Sequence, residues 1–304
     1  MHEYNNEISL AVNLAKKALS ITEYLKTKEF HSYQKSDNTP VTIADLASQI
    51  YIVSGIKEIF PKDQLIAEES NVQLLTPQTL SLIKKTYDFL DIKKIANFRE
   101  NLIYRGSNSN RQWTIDPIDG TMGYKKGLVY AIGIGFMENY IPKASVIAVP
   151  SFNNKPSIIY KAIDKRGAWS SENSESFKKI NVSNQKKLNK AILCHSLHYD
   201  SPLSDKFIEM AQIKKTIAMD SMVKFCKVAE GSNDIYFRPL TTNPKIWDFC
   251  PGDLLVREAG GKIIDFFGNS FQYEKDELVI ASSGFFASNK VLHTEILELL
   301  EKLL

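Results

Sequence analysis

Residues 113 to 121, WTIDPIDGT, place Asp116 and Asp119 three positions apart, with Pro117 between them and Gly120-Thr121 directly after. Two readings fit that spacing. Asp-Gly beside a proline is common turn chemistry, since proline presets φ and glycine tolerates the left-handed region. Two carboxylates at a strand end, facing one point across a single turn, also make a cation site. The Pro117 ring leaves the Ile118 carbonyl able to join them, and an all-oxygen set of this kind suits Mg²⁺ rather than zinc.

Other acids also stand at element ends. Glu68 and Glu69 follow a short apolar run in DQLIAEES, Asp45 falls in the first turn of a helix, and Asp248 falls in the first turn of another, in KIWDFCPGD. Singly, each has a plain reading: an Asp in a first turn answers the helix dipole, and Glu-Glu after a strand is solvated loop. Jointly they imply metal. Two carboxylates about 4 Å apart repel by about 4 kcal/mol at an effective dielectric of about 20. Several such pairs exceed what a marginally stable domain absorbs unless cations fill the site. Paired divalent ions belong to phosphoryl chemistry.

These residues need rigid supports. Ile8, Ala11, Leu14, Ala15, Ala18 and Leu25 recur at helical spacing, in a segment too polar and evenly charged for a signal peptide. Thr42, with Asp45 three residues on, comes close to a capping box and opens a helix with the face Ile43, Leu46, Ile50, Val53 and Ile59, ended by Pro61. Residues 65–67 read as a strand, Thr76-Pro77 as the start of another helix, and the polar stretch 97–110 as a mobile loop. RQWTID, VYAIGIGFM and KASVIAVPS are strands, the last two forming a hairpin across ENYIP, and SIIYKAI pairs with GAWSS around DKRG.

Residues 1–185 therefore read as an α+β metal-binding domain with an antiparallel sheet. From 186 to 304 strands and helices alternate: AILCHS with LSDKFIEMAQ, KKTIAMD with SMVKFCKVAEG, DIYFRP with DFCPGDLLVREAGG, then KIIDF, LVIAS and a terminal helix over 285–302. That rhythm predicts a layered α/β substrate-binding domain, and an α/β class for the whole chain.

Composition narrows the partners. At 304 residues, 43% apolar and 24% charged, the chain has an ordinary globular composition and room for one large domain or two of ordinary size. Its 38 basic and 35 acidic side chains form no block or stripe, which argues against a nucleic-acid polymer and leaves a small anion open. Cys194, Cys226 and Cys250 are odd in number and share no metal-type spacing, as in a cytoplasmic protein with reduced thiols. No apolar run approaches the roughly 18 residues of a membrane span.

The segments TPVTIAD (39–45), AEES (67–70), WTIDPIDGT (113–121), IWDFCPG (246–252) and REAGG (257–261) resemble, in this order, the inositol monophosphatase superfamily of Mg²⁺-dependent, lithium-sensitive phosphatases. The resemblance implies a layered α/β/α/β/α sandwich. It also implies two or three Mg²⁺ ions held by Glu68, Asp116, Asp119, Asp248 and the Ile118 carbonyl, with Asp45 near a third. Gly120 and Thr121 would offer N–H groups to the scissile phosphate, and the Thr121 hydroxyl, bonded to Asp45, would orient or deprotonate the attacking water.

The second half bears on the substrate. Arg238, in DIYFRP, stands where inositol enzymes of the superfamily carry a sugar-binding Glu, and Lys224 stands where they usually carry a small apolar residue. Both add positive charge beside a site for one phosphate: arginine forks a phosphate and lysine serves as a point charge. Ser221 is expected to open its helix and give N–H groups to an anion. A second phosphate accounts for these changes. DSMVKFC and IYFRP resemble the 3′(2′),5′-bisphosphate nucleotidase branch, which removes the 3′-phosphate of 3′-phosphoadenosine 5′-phosphate, and that resemblance puts His198 near the nucleotide. Met122 departs from the branch, which usually has Lys there; this bears on substrate preference and leaves the metal ligands untouched. An inositol monophosphatase or inositol polyphosphate 1-phosphatase would use the same metal loop. A non-catalytic nucleotide-sensing or interaction protein on this fold is the alternative from another class; a missing acid would point to it, and none is missing.

Overall fold

The computed structural model describes residues 3–28, 32–34, 40–172, 175–198, 201–240, 244–274, 277–279 and 284–304. In its first part come α1 (Asn5–Lys26), the short paired strands β1 (Ser32–Gln34) and β2 (Pro40–Thr42), α2 (Ile43–Ile59), β3 (Gln64–Ala67), α3 (Pro77–Phe89) and α4 (Phe98–Ile103). Then follow β4 (Arg111–Asp119), α5 (Thr121–Lys125), β5 (Ala131–Glu138), β6 (Ile141–Val149), β7 (Ile158–Ile163), β8 (Gly167–Glu172) and β9 (Lys178–Ile180). Strands β3 to β9 form a seven-stranded sheet in chain order. Its pairs are antiparallel except β3–β4, which is parallel, so the expected antiparallel sheet gains one parallel edge.

The second part holds β10 (Ile192–Ser196), α6 (Pro202–Met210), β11 (Lys215–Met219), α7 (Val223–Ala229), β12 (Ile235–Pro239), α8 (Ile246–Glu258), β13 (Lys262–Asp265), the hairpin β14 (Gln272–Glu274) with β15 (Glu277–Val279), β16 (Gly284–Ser288) and α9 (His293–Leu303). Its five-stranded sheet runs β11-β10-β12-β16-β13, parallel through β12 and antiparallel beyond.

Period-two alternation assigns the layers. On β6, Ala144, Val146 and Ala148 pack with α1 and α2, while Ile147 and Val149 face α7 and α8. On β16, Phe285 and Ala287 join α7 and α8, while Phe286 packs with α6 and α9. The order is thus α1–α2, seven-stranded sheet, α7–α8, five-stranded sheet, α6–α9: the α/β/α/β/α sandwich.

Glycines let α8 lie close on the first sheet. A Cβ on Gly135 would stand 2.7 Å from Cys250 Sγ, and one on Gly133 3.3 Å from Pro251 Cγ. That approach fixes the depth at which α8 delivers its first turn.

Three expectations are corrected. Helix α2 is buried on nearly every side, including Ser48 and Gln49, because it packs against α1, α3, α4 and β4; Ile59, assigned to its inner face, is 56% exposed. Residues 98–103 are helical rather than loop: Asn97 caps α4 by accepting the Glu100 N–H at 3.2 Å. The C-terminal helix starts at His293 and not 285, because residues 284–288 pair with both β12 and β13. Of LVIAS, Leu278-Val279 lie in β15, and residues 280–282 fall outside the described residues.

Gly252 gives a test of this packing. Alanine favours a helix interior over glycine by about 1 kcal/mol. Here its Cβ would meet Phe225 Cδ2 at 2.2 Å, in a ring packed against Tyr236, Phe249 and Phe285. Overpacking costs about 1–3 kcal/mol, so Gly252→Ala should lower the denaturant midpoint with an unchanged slope. An unchanged or raised midpoint would show that the ring yields.

Candidate active site

Residues an odd number of positions apart on a strand normally face opposite sides. The pairing of β4 with β5 removes that conflict: Asp116 stands opposite Gly133 and Asp119 opposite Ala131, so three steps on β4 match two on β5. Pro117, which cannot donate to a ladder, sits inside this bulge, and the extra residue turns both aspartates to one side. The Ile118 N–H then donates to Asp116 Oδ1 at 3.1 Å. Glu68 arrives from the parallel neighbour, its N–H donating to the Ile115 carbonyl at 3.1 Å, so it stands beside Asp116. Asp248 comes from the first turn of α8.

Carboxylate oxygens of Asp116, Asp119 and Asp248 lie within 4.8 Å of one another. Burial pushes the Asp116 carboxyl well above the usual carboxylate range, and the charges of Glu68, Asp119 and Asp248 raise it further. Burial, with Asp248 adding to it, pushes Asp119 up to about 7. Acids held in a geometry that disfavours their own ionisation fit a divalent cation, and the donor set is all oxygen.

Gly120 turns the chain at φ 87°, in contact range of Asp220 and Ser221. The Thr121 hydroxyl follows, 3.2 Å from Asp45 Oδ1 and 3.1 Å from the Ile118 carbonyl oxygen. Asp45 is fully buried and held by the Thr42 N–H at 2.8 Å and the Thr42 hydroxyl at 2.5 Å, completing the capping box of α2. Glu69, next to Glu68, is buried, and its backbone is clasped by Gln49 and Arg105.

Lys224 is buried, donates to the Met219 carbonyl at 3.1 Å, and lies 5.2 Å from the centre of the Tyr236 ring. Burial and the charge of Arg238 lower its pKa to about 8. Arg238 is half-buried, with Nη1 3.5 Å from the Tyr236 hydroxyl and its guanidinium over Phe249. Ser221 differs from expectation. It adopts φ 61° and does not begin α7, whose N-cap is Met222. The N–H groups expected to meet an anion are used internally: Met222 donates to Asp119 Oδ2, and Val223 to Ser221 Oγ at 3.3 Å.

His198 Nε2 lies 3.0 Å from Asp220 Oδ2. Asp220 went unread in the sequence, although it too is an acid at the junction of a strand and a helix. Met122 is exposed on α5.

A model of the inositol monophosphatase family matches residues 3–304. A relative from Schizosaccharomyces pombe named 3′(2′),5′-bisphosphate nucleotidase is 29% identical, over 97% of this chain and 95% of its own. One from Emericella nidulans with the same name is 26% identical over 99% of both chains. The Buchnera aphidicola 3′(2′),5′-bisphosphate nucleotidase CysQ is 30% identical over 87% of this chain and 86% of its own. Among solved structures, a Thermotoga maritima IMPase superposes with a TM-score of 0.72 over 98% of both chains, at 22% identity. An inositol monophosphatase from Anabaena gives 0.69 over 99% of this chain and 97% of its own, at 20% identity. At these identities the two structures show the shared fold.

The raised carboxyls set a pH dependence. A raised pKa means that the folded cation-free protein keeps a proton the unfolded chain has released. Stability should therefore fall as pH rises from about 4, with the share due to Asp119 complete above about 7. Cation-free Asp119→Asn should be the more stable protein at pH 8, by at most a few kcal/mol, one pKa unit being about 1.4. Excess divalent cation should reverse the order by stabilising only the native wild type. Thermal melts with and without chelator check this, and an unreversed order would count against the cation site.

Proposed function

The chain belongs to the inositol monophosphatase family, and from that premise we propose that it is a Mg²⁺-dependent phosphatase that converts 3′-phosphoadenosine 5′-phosphate to AMP and phosphate. The observation that carries the substrate is the pair of cationic side chains, Lys224 and Arg238, set around Tyr236 beside the acid cluster. One scissile phosphate needs the metal set; a second needs further positive charge. The names of the relatives from three organisms support the same reading.

Divalent cations on Glu68, Asp116, Asp119, Asp248 and the Ile118 carbonyl would activate a water and offset charge on the leaving ribose oxygen. Thr121, whose hydroxyl points at Asp45, keeps oxygen lone pairs to accept a proton from that water, and the 3.2 Å contact offers a way onward to Asp45. The left-handed Gly120 brings its own N–H and that of Thr121 near the phosphate. Arg238 forks the 5′-phosphate, while Lys224, already bound to a carbonyl, contributes as a fixed point charge. Residues 1–185 supply most of the cation ligands and the Gly120 and Thr121 N–H groups, and residues 186–304 supply Asp248 with His198, Lys224 and Arg238. The three cysteines are buried and reduced, which suits a cytoplasmic enzyme.

A phosphate-release assay with Mg²⁺ over 3′-phosphoadenosine 5′-phosphate, 3′-AMP and myo-inositol 1-phosphate tests the reading; turnover of the inositol ester alone overturns it. Lithium should inhibit, by analogy with the resemblance. Charge at the 5′-phosphate is constant during attack, so Arg238 should supply uniform binding, seen in KM more than kcat. Arg238→Ala should cost roughly thirtyfold in kcat/KM on the bisphosphate, about 2 kcal/mol for a charge-assisted bond, and little on 3′-AMP. Equal losses on both would place Arg238 in support of the fold instead.

A further inference from the structure

Asp220 belongs to neither the cation set nor the pair of cationic side chains, yet it touches both sides of the cleft. Oδ1 accepts the Ser221 N–H at 2.8 Å, at the residue with φ 61°. Oδ2 lies 3.0 Å from His198 Nε2, an ion-pair distance not aligned as a hydrogen bond, and both atoms are buried with no hydrogen-bond partner among the described residues. The carboxylate occupies space that exists only because two residues of the first half lack side chains. A Cβ on Gly123 would stand 2.7 Å from Oδ2, and one on Gly120 3.3 Å from Cγ. One side chain therefore spaces the Gly120–Gly123 turn, which follows β4 of the seven-stranded sheet, against His198, just after β10 of the five-stranded sheet.

We infer that Asp220 is a positioning residue that clamps the His198 imidazole against the Gly120–Gly123 turn and so sets its place beside the bound nucleotide. This rests on the phosphatase reading and adds a specificity element to it. A carboxylate near Asp119 adds repulsion, which the charge of Lys224 offsets, and its Oδ2 is left facing His198. Because Asp220 acts through His198 on binding, its loss should appear in KM. A role only in the fold would lower stability, and a role in the cation site would move the cation dependence.

The test is a double-mutant cycle of Asp220→Ala and His198→Ala, measured as kcat and KM on 3′-phosphoadenosine 5′-phosphate. Each single variant should raise KM about tenfold with kcat changed less than threefold, and the double variant should be no worse than His198→Ala alone. The Mg²⁺ midpoint should stay within twofold of wild type. Multiplying losses, a loss carried by kcat, or a shifted Mg²⁺ midpoint would overturn the inference. If Asp220→Ala does not fold, Gly123→Ala displaces the carboxylate without deleting it. It should raise KM in the wild-type background but not beside His198→Ala, and an equal rise in both would also overturn the inference. If wild type hydrolyses another phosphate ester and not the bisphosphate, the substrate reading fails; the cycle run on that ester still decides whether residues 198 and 220 are coupled.

Discussion

Like charges held in one small buried volume are the constraint around which this molecule is arranged. Asp116, Asp119 and Asp248 bring oxygens within 4.8 Å of one another, with Glu68 alongside. Flexible supports would let the carboxylates spread apart, because each close pair costs about 4 kcal/mol at an effective dielectric of about 20. The supports are instead sheet and helix. Parallel pairing holds Glu68, a bulge orients Asp116 and Asp119, and a helix pressed onto the sheet through Gly133 and Gly135 delivers Asp248. The strain is thus kept for a cation to relieve, which is how a site binds an ion tightly without reorganising.

Asp119 links that set to the substrate half. It accepts the Met222 N–H from the turn before α7, and its charge raises the pKa of Lys224 against the depression caused by burial and Arg238. Acids and bases are therefore mutually supporting across the cleft. Removing either group leaves the other's charge less compensated, and in a low-dielectric setting an uncompensated charge costs more than a pair gains.

What could be read from the chain alone follows this division between local and distant causes. The acids at element ends were legible because strand runs, caps and turn residues are local signals. Thr42 with Asp45 is one, and the capping box does form. The bulge was not legible, since it exists only against the register of β5. Asp220 was overlooked for a related reason: its place is set by the missing side chains of Gly120 and Gly123, a hundred residues upstream. Helix α2 misled because periodicity shows one buried face, whereas packing by α1, α3 and α4 buries the others. Residues 284–288 are short and apolar, a pattern that suits helix or strand equally until β12 and β13 are seen on either side. Ser221 was misread because a serine before a helix usually caps it, and only the left-handed φ shows that Met222 takes that position.

The two halves also differ in how freely they can change. Moving any acid of the cation set alters the charge balance at the reacting atoms, so that arrangement tolerates little. Arg238 and Lys224 gather instead around Tyr236, and Arg238 lies over Phe249. On the proposed reading, an exchange at those positions would change which anion is held while the bulge and the Thr121–Asp45 contact stay as they are. A fold built this way can host different phosphate esters by varying the second half alone. That is why the proposed substrate rests on the cations around Tyr236, and why the acid cluster by itself would leave it open.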